Sequence, residues 1–195
     1  MNARKVWIIA CLVWLVAAGA GAWVLSNYQN QAGAAGDTPA QWPMNTGLKV
    51  RGDKPVLIMF THPQCPCTRA SVEELNRIMG LCGDKVEAQV LFILPENMPQ
   101  DWTQTALWRN SAAIPGVQNH IDLGGREARL FGAQSSGYVL LYDVHGKLLF
   151  HGGITSARGH EGDNAGENVI VALLNGNPTS LDKTPVFGCG LLDQK

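Results

Sequence analysis

No part of this chain carries a basic stripe. Its 15 lysines and arginines are set against 16 aspartates and glutamates, for a formal net charge of −1. That excludes the electrostatic footprint a nucleic-acid backbone requires, so no nucleic acid is expected as a partner. No internal repeat divides the chain. Charge is missing altogether from Val6 to Leu25, an apolar run behind Arg4 and Lys5. Such a run is long enough to cross a hydrocarbon core. The basic flank stays cytoplasmic, so the rest of the chain is expected outside. The expectation is a single-pass protein of the cell inner membrane, with its domain facing the periplasm or the outside. Ala18, Gly19 and Ala20, and again Ala20, Gly21 and Ala22, fit a cleavage pattern, which keeps a removed signal peptide open. The folded part is exported in either case.

Ser26 to Thr46 is rich in Ala, Gly, Gln and Asn and reads as a flexible linker. The organisation expected is therefore an anchor over 1–25, a linker over 26–46 and one domain over 47–195, of a size that buries a substantial core. Within it, Val56 to Phe60 is a continuous apolar run, as a strand buried on both faces requires. Val72, Leu75, Ile78 and Met79 have helical spacing, and Ser71 with Glu74 forms a capping-box pattern. Val86 to Leu94 is a second strand. A helix is expected from about Asp101 to Ala112, a short strand over Val117 to Asp122 and a short helix over Arg126 to Phe131. Tyr138 to Asp143 and Lys147 to His151 form a hairpin whose turn carries an Asp-x-x-Gly pattern. Asn164 and Glu167 can cap a last helix, Ala165 to Leu174. The tail from Asn177 has no clear periodicity. The order of elements implies an α/β fold with a mixed central sheet flanked by helices.

The most informative residues are His62, Pro63, Gln64, Cys65, Pro66 and Cys67, between the first strand of the domain and its first helix. A strand-to-helix junction turns N–H groups and the positive end of a helix toward a thiolate, which makes a cysteine a nucleophile. Cys65 is the expected attacking thiol, with Arg69 as a nearby cation, and Cys67 is the expected resolving thiol. His62 would hold a proton for the thiolate or orient a substrate. A Cys-Pro-Cys disulfide closes a tight ring, which should make an oxidising couple.

A cysteine pair after the first main strand of such a fold resembles the thioredoxin-like superfamily, over about residues 47–176. The His-Pro-x-Cys-Pro-Cys stretch, the Gly-Gly-Ile-Thr stretch beginning at Gly152 and the stretch from Arg158 to Gly166 also resemble a membrane-anchored bacterial group called RedB-type. Two departures matter. Thr68 stands where thioredoxins have their second cysteine, and Ser136 and Gly137 stand where they have a cis-proline. The resemblance implies that Ser136, Gly137 and the loop from Gly152 to Ala165 share an edge with the thiols. Pro66, Ser136, Gly137, His160, Glu161 and Asp163 are then the expected substrate-binding residues, with Gly137 admitting a substrate backbone.

Of the remaining cysteines, Cys11 lies in the apolar run. Cys82 follows the first helix of the domain and Cys189 lies in the tail, and the expected structural disulfide joins these two. The alternative is a tail that wraps back to offer Cys189 to the Cys-Pro-Cys site. His120, His145, His151 and Asp122 are expected to be structural.

The leading expectation is a thiol–disulfide oxidoreductase whose partner is an exported thiol or disulfide protein, without a cofactor. The alternative is a soft-metal binding protein or chaperone of Sco-like type, holding copper or zinc through His62, Cys65 and Cys67. A thiol peroxidase would keep Cys65 as the reactive thiol, but the Pro-x-x-x-Thr/Ser-x-x-Cys approach of peroxiredoxins is absent.

Overall fold

The structure is a computed structural model and describes residues 3–50 and 52–192. The outer ends of the anchor and of the tail, residues 1–2 and 193–195, lie outside the described residues. The chain divides into two compact units, residues 1–31 and 32–195. The first is one helix, α1 (Ala3–Asn30), with a mean hydropathy of 2.3 over its most apolar window and no buried residue. At about 1.5 Å per residue it is long enough, and by composition apolar enough, to cross a membrane.

The second unit is built on a five-stranded sheet. In chain order its elements are β1 (Val56–Thr61), α2 (Thr68–Cys82), β2 (Glu87–Leu94), a 3₁₀ turn (Gln100–Thr103), α3 (Ala106–Ala112), β3 (Val117–Leu123), α4 (Arg126–Leu130), β4 (Tyr138–Tyr142), β5 (Leu148–Gly152) and α5 (Ala165–Leu174). The strand order is β3-β2-β1-β4-β5. β1 and β2 are parallel, as are β2 and β3, whereas β4 runs antiparallel to both β1 and β5. This mixed sheet with helices on its faces is the thioredoxin-like α/β fold.

β1 is apolar at every position but its last because it is covered on both faces. Leu57 and Met59 join the core under α2, α3 and α5. Val56, Ile58 and Phe60 point the other way, toward α4 and the tail. The hairpin turn forms as its sequence demands. The Asp143 carboxylate accepts from the N–H groups of His145 and Lys147, and Gly146 takes the positive φ of 77° that the turn needs. Asp122 is structural, its two oxygens accepting from Glu127 and Ala128 N–H at the start of α4.

Three expectations change. The stretch expected as a single helix to Ala112 divides into the 3₁₀ turn and α3. α2 starts at Thr68, three residues before Ser71, so the Ser71–Glu74 pattern lies inside the helix and caps nothing. Glu74 is instead fully buried and accepts from Gly162 N–H.

The third change concerns the linker. Residues 26–30 belong to α1, and the stretch from Gly33 to Thr46 packs along the domain. Gly33 and Gly36 donate to the carbonyls of Val186 and Gly132, Trp42 N–H to Gly146, and Ala40 accepts from Leu148 N–H. The Trp42 ring meets Phe131 and Tyr142 edge-on, each at 5.2 Å. Backbone pairing of this kind leaves no periodic signature in a Gly- and Ala-rich sequence. Trp42→Ala is expected to lower stability by about 1–3 kcal/mol through lost aromatic contacts and area. The check is the denaturant midpoint of the full-length chain, which a free tether would leave unchanged.

Candidate active site

The site forms where β1 ends. Chain reversal after Thr61 is fixed by two contacts: His62 N–H donates to Ser136 Oγ at 2.8 Å, and Cys65 N–H donates to the His62 carbonyl. Cys67 is the N-cap of α2, with helical backbone angles. Cys65 therefore lies one turn before the helix, near the end where unpaired N–H groups favour a negative charge. Thr68 Oγ1 and Ser136 Oγ are 2.6 Å apart, both buried, and tie the start of α2 to the loop before β4.

Cys65 is 1 % exposed. Its sulfur lies 2.7 Å from the sulfur of Cys189, and the Cys189 N–H also points at it, 3.4 Å away. The ligand atoms of Cys65, Cys67 and Cys189 all lie within 4.8 Å of one another. The tail thus returns to the thiols, as the alternative sequence reading allowed. The expected Cys82–Cys189 disulfide is not formed. Cys82 is buried at the far end of α2, near the Asn175 side chain, while Cys189 sits at the opposite edge of the sheet. A helix of 15 residues separates the two ends.

Electrostatics set the three sulfurs apart. Burial works against ionisation of Cys65, but hydrogen bonds from Cys189 and Thr68 outweigh it and hold its pKa below the ordinary value. Burial raises Cys67, the charge of Cys65 raises it further, and Arg158 offsets part of this. Cys189 is also raised, by burial and then by its contact with Cys65. One negative charge, on Cys65, is the arrangement the cluster favours.

Other expected residues take different places. Arg69 is exposed on the first turn of α2, and the cation beside the thiols is Arg158 instead. The His62 ring stacks edge-on against Trp102 at 5.3 Å, and its Nδ1 accepts from Gln64 N–H. It is not in the sulfur cluster, so the His62, Cys65 and Cys67 metal set is replaced by three sulfurs. Ser136 does reach the site. Gly137 has a φ of 84°, and a Cβ there would stand 2.7 Å from Ser71 Oγ. Its lack of a side chain admits α2 rather than a substrate. Pro66 is exposed beside the thiols. With Pro63, Gln64, Cys65, Arg69, Thr105, Ala106, Leu107 and Asn110 it lines a groove of about 390 Å³.

His160 and Glu161 are exposed, and Asp163 turns to Arg77 on α2 at 3.6 Å. The polar loop serves a different centre. Asn164 caps α5 by accepting from Glu167 N–H at 2.8 Å, and its amide donates to Glu74. Of the loop residues expected around the thiols from Arg158 to Asn164, Arg158 is the one that faces Cys67, and Cys189 was held as the lesser alternative. The glycines flanking Cys189 are the available signal, since small residues mark a close backbone approach.

No protein-family model matches this chain, and no curated protein is similar to it. Solved structures are similar in fold. An uncharacterised conserved protein from Geobacillus kaustophilus is 19 % identical with a TM-score of 0.61, over 85 % of this chain and 93 % of that one. A hypothetical protein from Sinorhizobium meliloti is 20 % identical with a TM-score of 0.56, over 83 % and 93 %. The exposed lipoprotein thioredoxin of Streptococcus pneumoniae is 16 % identical with a TM-score of 0.48, over 72 % and 99 %.

The Glu74–Glu167 pair carries a pH dependence. Burial, and then a hydrogen bond to Glu74, raise Glu167 from its ordinary 4.5 to about 7, with Arg77 opposing. The folded state therefore keeps a proton that the unfolded chain loses. Its stabilising effect is complete below 4.5 and is lost as pH rises through about 7. The thermal midpoint should fall over that window. Glu167→Gln should flatten the profile and raise stability on its alkaline side. An unchanged profile would contradict the raised Glu167.

Proposed function

We propose that this protein is an extracytoplasmic thioredoxin-like thiol–disulfide oxidoreductase, anchored by residues 6–25, with Cys65 as the attacking thiol. The observation that carries the reading is the environment of Cys65. It is a buried thiol at the head of α2 with the Cys189 N–H pointing at its sulfur, and it ionises more readily than its two neighbours. A thiolate is the nucleophile of disulfide exchange.

The Cys65 thiolate attacks one sulfur of a disulfide in another exported protein. A mixed disulfide forms, and the second substrate sulfur leaves as a thiolate that takes a proton from water. A second thiol of the cluster then displaces the substrate. The groove beside Pro66 and Arg69 is where a substrate segment would lie, since its wall includes Cys65. Cys65→Ser should reduce exchange with a synthetic peptide disulfide to the uncatalysed background while cooperative unfolding is retained. Wild-type turnover by Cys65→Ser would reject the reading.

A second reading is favoured by the three clustered sulfurs. Thiolates suit copper(I) or zinc, and Cys65, Cys67 and Cys189 would hold the ion, releasing their protons as it binds. Native mass measurement of the reduced full-length chain with one equivalent of copper(I) should then show a retained ion. Loss of the ion on simple buffer exchange would count against it.

A further inference from the structure

The tail that carries Cys189 is docked through its backbone, and the docking begins well before the thiol. After α5 the chain turns back along the open edge of β5. His151 N–H donates to the Asp182 carbonyl and Thr184 N–H to the His151 carbonyl, so a short parallel bridge forms at Lys183. The tail then crosses the loop before β4. Ser136 N–H donates to the Cys189 carbonyl at 2.7 Å, Leu191 N–H donates to the Gln134 carbonyl at 2.9 Å, and Ser135 and Gly190 form an antiparallel bridge.

Side chains hold this strand in place. Val186 and Leu191 are buried in the core on the α4 side of the sheet, and Arg158 Nη1 donates to the Gly188 carbonyl at 2.6 Å. A Cβ at Gly188 would fall 1.8 Å from the Ser136 carbonyl oxygen. Only glycine lets the tail approach this closely. The outcome of this pairing is a cysteine presented to Cys65 on an extended strand, as a peptide added to a sheet edge would present it.

We propose that Cys189 is the resolving thiol of this protein, delivered to Cys65 by a C-terminal tail docked in the manner of a bound substrate strand. This rests on Cys65 being the attacking thiol. The groove that would receive a substrate is walled by Cys65, and Cys189 is not among its lining residues. Cys189 therefore leaves the groove to a substrate.

The electron balance is complete within the two partners. Cys65 thiolate attacks the substrate disulfide and one substrate thiolate leaves. Cys189 gives up its proton and attacks Cys65 Sγ, the Cys65–substrate bond breaks, and the second substrate sulfur leaves as a thiolate. The substrate disulfide gains two electrons, and its two thiolates take up the proton released by Cys189 and one from water. The Cys65 and Cys189 thiols become one disulfide. The reverse sequence passes a disulfide to substrate thiols. The charge of Cys65 is one cause that holds the proton on Cys189 in the resting state. That charge disappears when Cys65 enters the mixed disulfide, so the resolving thiol is released for attack when it is needed.

The test uses the reduced full-length chain in detergent, mixed with a synthetic peptide disulfide, with adducts followed by intact mass. Cys189→Ser should accumulate a Cys65–peptide adduct whose resolution is slowed at least about 100-fold, because an intramolecular thiol has been removed. Cys67→Ser should accumulate none. Gly188→Ala, which keeps Cys189 but disturbs its docking, should also slow resolution while the first attack proceeds. Trapping by Cys67→Ser together with ordinary resolution by Cys189→Ser would overturn the proposal and leave Cys65 as attacking thiol. Adducts formed by Cys65→Ser at the wild-type rate would overturn both.

Discussion

The site depends on the hydrogen bond from Ser136 N–H to the Cys189 carbonyl. It fixes the backbone of Cys189 itself, and it joins two segments far apart in sequence. Ser136 is engaged on three sides at once. Its N–H holds the tail, its Oγ receives the His62 N–H that ends β1, and the same oxygen meets Thr68 at the head of α2. One buried serine thus fixes the relative positions of the strand end, the helix start and the third thiol. Each partner is backbone or a short side chain, so the geometry has little freedom to relax.

The charge distribution follows from that geometry. Three sulfurs close together cannot all ionise, because each added thiolate is repelled by the first and loses hydration. The site resolves this by giving Cys65 the donors and leaving the protons on Cys67 and Cys189. Arg158 contributes twice, facing Cys67 and holding the Gly188 carbonyl of the tail. The loop that supplies Arg158 is itself anchored to α2 by the bonds of Glu74 to Gly162 and Asn164. The carboxylate centre and the thiol centre therefore share a support without sharing chemistry.

The elements legible in the sequence were those with a strong local signal. β1 read as a strand because both faces are buried and its apolar run from Val56 to Phe60 is unbroken, and β2 because its run from Val90 to Leu94 is. α5 matched its expected span because Asn164 is a true cap, and the hairpin because Asp143 and Gly146 specify its turn. The capping-box pattern at Ser71 misled because Glu74 was recruited into a buried tertiary contact. The linker and the tail were illegible for a common reason. Both are held by isolated backbone hydrogen bonds, which impose no alternation or helical period. Gly188 and Gly190 around Cys189 were the trace of that packing, and they became interpretable once the tail was seen crossing Ser136. Cys65 itself was legible from its place between strand and helix, and its partner in space only as the less favoured of two placements for Cys189.

The central claim is that Cys65 and Cys189, joined through the docked tail, form the functional pair. The most direct measurement is the disulfide map of the full-length chain, isolated from an exporting cell with thiols blocked at lysis and no reductant added. The expected result is a link between Cys65 and Cys189, with Cys67 and Cys82 recovered as blocked thiols. A link between Cys65 and Cys67, or between Cys82 and Cys189, would contradict it.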